Sequence, residues 1–172
     1  MTLDFKICTN KDIDLLVEIS RSTFIAAFED DNNPKDFIDY INSAFSKVTL
    51  EKELLNSNST FFFVYHNNTL VGYFKINEKE AQNEAFEMTS IELERIYVYK
   101  TFQRKNIGKY MLEKVIIIAL QRQVNFIWLG VWEKNLKAIR FYQKNGFAKF
   151  GTHPYYIGKD KQTDWLMKLS LI

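Results

Sequence analysis

A chain of 172 residues is the length of one domain, read here as 1–172, and at 47% hydrophobic it can bury an ordinary core. Its formal charge of +2 is too small to mark a nucleic-acid binder by electrostatics, and a single cysteine, Cys8, cannot close an internal disulfide. Two histidines, His66 and His153, stand far apart without ligand-spaced companions, which argues against a metal site; no apolar run has signal or membrane-spanning length, so a cytoplasmic protein away from membranes is expected.

The first strand is predicted over 3–9, "LDFKICT", followed by a helix over 10–28 that Asn10 can cap. Pro34 sits where a first-turn proline belongs and opens an amphipathic helix, "PKDFIDYINSAFS", with a shorter helix over 49–57 behind it. "TFFFVYH" (60–66) and "TLVGYFKIN" (69–77) are aromatic and β-branched, and Asn67-Asn68 between them is a hairpin signal. A polar loop over 78–88 leads to a strand over 89–99, then a helix (107–122), a strand (125–132) and a helix (135–145) ended by Gly146. Strands over 147–153 and 163–172 finish the chain. The early hairpin requires antiparallel pairing while strand–helix–strand requires a parallel crossover, so the sheet is predicted to be mixed within an α/β (α+β) fold.

The junction "QRKNIG" (103–108) holds more donors than a turn needs. Backbone N–H groups that open a helix have no intrahelical acceptors, and the helix dipole favours negative charge in front of them. Arg104, Lys105 and Lys109 add formal charge, and Gly108 allows close backbone approach. A phosphate fits there; a solvated basic turn fits the same residues.

Taken in order, "RIYVYKTFQRKNIGKYML", "WLGVWEKN" and "NLKAIRFYQKNGF" resemble the GNAT family of N-acetyltransferases, with Gln103, Asn106 and Gly108 at the three defining positions of its Q/R-x-x-G-x-G/A turn. Asn106 departs from the usual glycine, but asparagine is the residue besides glycine that best tolerates the left-handed region. "AAFEDDNNPKDFIDYINSAF", "VGYFKIN" and "YYIGKDKQTDWLMKLSL" extend the resemblance to the PaiA-type branch of spermidine/spermine N-acetyltransferases. The resemblance implies a mostly antiparallel twisted sheet with helices on both faces and a central strand splayed at a bulge. It also implies acetyl-coenzyme A as donor and direct attack by a small amine, a polyamine such as spermidine or spermine, in a ternary complex.

By the same resemblance, residues Gln103, Arg104, Lys105, Asn106, Ile107, Gly108 and Lys109 bind the pyrophosphate, and backbone groups of Ile96, Tyr97 and Val98 pair with the pantetheine arm. Asn135 both caps its helix and bonds that arm; Lys137 and Lys144 reach the nucleotide end, although exposed helix lysines are commonly only solvated. Tyr142 stands where the family has the tyrosine that protonates the leaving sulfur. An amine of pKa ~10.4 needs a base before it can attack. Glu92 and Glu94, two apart on a regular strand, are expected on one face with Ile96 and Val98; both would also suit a solvated strand end. Glu94 is the candidate base with Glu92 in reserve. Acceptor contacts are expected from Glu29 and Asp30, which equally suit a surface role, and from His153, Tyr155 and Asp164 in a C-terminal lid or hairpin. A coenzyme-binding regulator without turnover, or action on another small amine or a protein amine, stays open, as does a homodimer.

Overall fold

The computed structural model describes residues 2–171; Met1 and Ile172, the expected end of the last strand, lie outside them. Seven strands, β1 (Asp4–Ile7), β2 (Ser59–His66), β3 (Thr69–Glu78), β4 (Ser90–Val98), β5 (Phe126–Trp132), β6 (Ala148–Ile157) and β7 (Asp160–Ser170), form one sheet in the order β1-β2-β3-β4-β5-β7-β6. All neighbours run antiparallel except β4 and β5, so the sheet is mixed as expected. Helices α1 (Ile13–Phe28), α2 (Pro34–Ala44) and α3 (Lys47–Leu55) pack with one face of the sheet, and α4 (Ile107–Gln121) and α5 (Leu136–Lys144) with the other.

Local chemistry sets most boundaries. Asn33 accepts from the amides of Lys35 and Asp36 at 3.1 and 3.3 Å, so α2 starts at Pro34. Asn67 and Asn68 both adopt positive φ, 49° and 62°, which matches the twist of a tight hairpin between β2 and β3. Elsewhere the structure differs from expectation. Asn10 does not cap α1: it lies in a short 3-10 turn whose Asp12 carboxylate accepts from the Thr9 amide at 2.9 Å, and α1 begins at Ile13. Ser46 accepts from Thr49 and starts α3 two residues early. The C-terminal strands are longer than predicted, because β6 runs through Pro154 to Ile157 and turns at Gly158 into β7. Proline fits there since β6 is an edge strand, paired only with β7.

Two irregularities shape the middle of the sheet. Between β3 and β4 the register passes from Lys75↔Arg95 to Ile76↔Leu93, so Glu94 is an extra residue in a bulge. Because side chains alternate, one extra residue reverses the faces beyond it. Glu92, Glu94, Arg95 and Tyr97 therefore turn toward α1–α3, while Ile96 and Val98 pack with Ile91 and Leu93 on the α4 side, not with the glutamates as a regular strand would have them. Second, β4 and β5 pair only from Ser90↔Phe126 to Glu92↔Trp128. Beyond Glu92 the strands part.

The free arm of β4 is held by β3 alone, and the contact is tight: a Cβ on Gly72 would sit 2.5 Å from the Tyr97 carbonyl oxygen and 3.3 Å from Val98 Cα. Gly72→Ala is expected to destabilise the protein by roughly 1–3 kcal/mol through overpacking, read as a lowered urea midpoint at unchanged m-value.

Candidate active site

Three adjoining spaces follow the parting of β4 and β5. The first, about 570 Å³, runs from the turn before α4 along the α5 face and is bordered by Val98, Gln103, Arg104, Gly108, Lys109 and Lys137. A second, about 170 Å³, lies between the strands, with Ile96, Val131, Asn135 and Tyr142 around it. The third, about 480 Å³, opens on the α2 side between β4 and the β6–β7 hairpin. Tyr97 borders all three.

At the first space, Arg104 and Asn106 both take positive φ, 61° each, so the backbone coils twice before α4 begins. Asn106 adopts the left-handed conformation expected of it. The first intrahelical bond of α4 is donated by Tyr110 to the Asn106 carbonyl at 3.1 Å, and among the described residues the amides of Arg104 through Lys109 donate to no protein acceptor. A Cβ at Gly108 would touch only the Phe141 ring, at 3.7 Å, so protein packing does not require glycine there; its open side faces the space. Gln103 donates to the Val98 carbonyl at 3.2 Å and accepts from Lys137 Nζ at 3.2 Å, tying the end of β4 to α5. Lys105 lies over the Phe102 ring, Ile107 is core, and Lys144 is exposed; none of the three borders the space, nor does Asn106 by its side chain.

Asn135 caps α5 by accepting from the Ala138 amide at 3.1 Å and borders both the first and second spaces. Two turns further along α5, Tyr142 is buried and borders the same two. Its hydroxyl makes no hydrogen bond to protein among the described residues, and burial pushes its pKa up, which keeps it a neutral, proton-bearing phenol.

The two β4 glutamates have different surroundings. Burial opposes ionisation of Glu94, but the charges of Arg95 and Lys75 outweigh it and hold its carboxyl below the usual range. Glu53 of α3 completes this cluster, bidentate to Arg95 at 2.9 and 3.0 Å and 3.0 Å from Lys75. Glu92 is 4% exposed; burial raises its pKa, although three N–H groups donate to it, two from Asn83 at 2.9 and 2.7 Å and one from Asn77 at 3.1 Å. The geometry weighs against Glu94 as a free base, since its charge is spent on two cations.

Glu92, Glu94, Arg95, His153, Tyr155 and Asp164 all border the third space. Glu29 and Asp30 border none of the three: α1 ends with Phe24 and Phe28 toward the sheet and turns the acidic run outward. Glu84, not expected from sequence, takes their place, held 2.8 Å from His153 Nδ1. The Tyr155 and Tyr40 hydroxyls meet across the α2 side of this space.

Comparison with known proteins decides the family. Residues 13–147 match the acetyltransferase (GNAT) family. The chain belongs to that family. It is 34% identical over 164 residues, 95% of each chain, to an uncharacterized N-acetyltransferase in the pepI 3′ region of Lactobacillus delbrueckii subsp. lactis. It is 25% identical over 151 residues, 86% of this chain and 89% of the other, to a spermidine N(1)-acetyltransferase of Thermoplasma acidophilum. In fold it is similar to the crystal structure of a PaiA N-acetyltransferase from Thermoplasma acidophilum in complex with coenzyme A, with a TM-score of 0.79 at 21% identity over 99% of both chains. The GNAT enzyme expected from sequence is thus confirmed at the level of family and fold, and among the described residues no helix is long and apolar enough to cross a membrane.

The Glu94 cluster also predicts how stability depends on pH. A carboxylate whose folded pKa is depressed stabilises the fold above its unfolded pKa, and that contribution is lost as pH falls through the lower folded value. Glu94→Gln is expected to be less stable than the native chain at neutral pH, with the difference shrinking as pH is taken progressively below 4.5, followed by chemical denaturation across that range.

Proposed function

We propose that this GNAT enzyme moves an acetyl group from acetyl-coenzyme A to a primary amine of a polyamine such as spermidine or spermine, by direct attack in a ternary complex. The observation that carries the reading is the polarity of the three adjoining spaces. They begin at a helix mouth lined by unpartnered amides and basic side chains, and end in a cavity bordered by Glu84, Glu92, Glu94 and Asp164 against one arginine.

When bound, acetyl-coenzyme A supplies an acetyl thioester. The residues present fit it. The amides of 104–109, with Arg104 and Lys109 beside them, suit a diphosphate. The β5-facing edge of β4 from Ile96 to Val98 has no strand partner, so its backbone, apart from the Val98 carbonyl that accepts from Gln103, is available to the amide-bearing pantetheine arm in the manner of an added strand. Asn135 and Lys137 border the same path. Tyr142 Oη holds a proton where the first and second spaces meet, and giving it to a departing thiolate makes that sulfur a better leaving group.

At the other end, Arg95 is already matched by Glu53 and Glu94, which leaves Glu84, Glu92 and Asp164 as the negative charge an ammonium meets. Glu92, fixed by its three donors, serves best as a stationary counter-charge for a second ammonium along the acceptor chain. Two ammonium groups on one flexible chain are what a polyamine offers. The similarity to spermidine N(1)-acetyltransferase supports the same substrate class.

A thiol-release assay over a panel of amines checks this. Spermidine or spermine is expected to exceed a simple monoamine in kcat/KM by roughly tenfold or more, the worth of one charge-assisted contact. Tyr142→Phe is expected to lower kcat by ~10²-fold or more with coenzyme A affinity retained. Tight coenzyme binding without turnover on any amine would instead identify a regulatory coenzyme binder.

A further inference from the structure

We infer that Asp164, His153 and Glu84 form a proton path out of the acceptor cavity, in which Asp164 takes the proton from the acceptor ammonium and His153 passes it to Glu84. The inference rests on the acetyltransfer reading above and identifies the base that this reading needs.

Position selects Asp164. It borders both the second space, shared with Tyr142, and the third, where the acceptor enters; Glu92, Glu84 and His153 border only the third. A base must reach the nitrogen that attacks the thioester, and among the carboxylates bordering the cavities only Glu94 shares this double position. Glu94 is spent on Lys75 and Arg95. Asp164 has no lysine or arginine partner among the described residues, and burial raises its pKa.

The three side chains are ordered from inside to outside. Asp164 is 13% exposed, His153 22% and Glu84 36%. His153 Nδ1 lies 2.8 Å from Glu84 Oε1, which fixes the ring with Nδ1–H donating and leaves the Nε2 lone pair facing Asp164 Oδ2 at 3.7 Å. That second separation is an ion-pair distance, of the kind that tightens when substrate closes a site. Gly130 of β5 makes room for the approach: a Cβ there would lie 3.3 Å from Asp164 Oδ2 and 3.4 Å from His153 Nε2. A glycine inside a buried strand otherwise weakens it, so its place opposite these two atoms has a reason.

Other groups face the same space. From β4 come Glu92, Glu94, Arg95 and Tyr97, and from β6, besides His153, comes Tyr155. Helix α2 contributes Tyr40 and α5, across the second space, Tyr142; α1 contributes only Phe24 and Phe28. All four tyrosines are pushed up by burial and stay neutral, so the ionic surroundings of Asp164 are the carboxylates and the matched Arg95, with the His153 ring beside them.

In the step itself the ammonium N–H bond breaks and an O–H bond forms on Asp164, and the nitrogen keeps the electron pair with which it attacks. Asp164 then gives that proton to His153 Nε2 as the Nδ1 proton moves to Glu84, which releases it to water. Asp164 returns to carboxylate and His153 is left as the Nε2–H tautomer, which exchange of its ring protons with water converts back to the Nδ1–H form before the next turnover.

Steady-state kinetics of Asp164→Asn, His153→Gln and Glu84→Gln, each checked by calorimetry for retained coenzyme A binding, test the path. Asp164→Asn is expected to lower kcat/KM for spermidine by ~10²–10⁴-fold. The same variant is expected to lose far less with an acceptor presenting an α-amino group, of pKa ~7.7–8.0, assayed at about pH 9, because that amine arrives already neutral. His153→Gln is expected to lower kcat/KM for spermidine less than Asp164→Asn does, since Asp164 still takes the proton and only its onward transfer is lost. Nitrogen NMR of the two histidines is expected to show His153 as the Nδ1–H tautomer in the native chain. Equal losses for both acceptors, an Asp164→Asn loss no larger than that of His153→Gln, or an Nε2–H tautomer would overturn the path while leaving acetyltransfer intact. Failure of the native chain to acetylate any amine would overturn both.

Discussion

The structure depends on a hydrogen-bond ladder that stops. Parallel pairing of β4 with β5 lasts three residue pairs and ends at Glu92↔Trp128, while each strand stays fully engaged on its other side. β4 is paired with β3 as far as Gly72↔Val98, and β5 with β7 as far as Trp132↔Asp164. Two backbone edges are thereby held open by rigid neighbours, with N–H and C=O groups that demand partners. Each strand also leads directly into a helix, β4 into α4 and β5 into α5, so the two helix starts fall beside the same opening. The concentration of unsatisfied donors at one place is thus a consequence of topology before any side chain is considered.

The bulge at Glu94 performs the second task. Without it, Glu92, Glu94, Ile96 and Val98 would share a face, and either carboxylates would enter the α4 core or apolar residues would face the cavity. One extra residue lets Glu92 and Glu94 look toward α1–α3 and still returns Ile96 and Val98 to the core. The same shift brings Arg95 and Tyr97 onto the cavity side. A buried arginine would make an acceptor pocket for cations unfavourable, and the bidentate Glu53 carboxylate, with Glu94 nearby, neutralises it. The acidic character of the cavity therefore belongs to the carboxylates that have no such duty.

What could be read from the sequence was what local chemistry dictates. Asn67-Asn68, Pro34, Gly146 and the donor-rich turn at 103–109 each announce a backbone conformation within a few residues, and the structure has each of them. Helix starts governed by a neighbouring side chain, Asp12 or Ser46, were displaced by a few residues from the position that periodicity suggests. The cavity was less legible. Glu84 and Asn83 lie in a polar loop with no periodicity, and they become site residues only because Phe86 anchors that loop on Phe126 and Trp128 while Gln82 accepts from the Trp128 indole at 2.7 Å. Gly130, in the middle of "WLGVW", was the one available signal for that region, since glycine inside a strand points to a close approach. Glu29 and Asp30 misled because composition cannot tell which side of a helix end faces in.

The sorted charge along the opening would also disfavour docking in the reverse sense. A diphosphate is attracted to the amides and to Arg104 and Lys109 and repelled by Glu84, Glu92 and Asp164; an ammonium experiences the reverse. Between the two regions stand Tyr97 and Tyr142, both kept uncharged by burial, with the carboxylates of Glu94 and Asp164 on the side of the same space that opens to the third cavity. At the position of Tyr142 itself a carboxylate would repel a departing thiolate, and a lysine would compete with an amine as a nucleophile. A buried phenol does neither, and it retains a proton it can give. A phenol at that junction leaves the sorting of charge to the two ends, where the amides and the carboxylates already provide it.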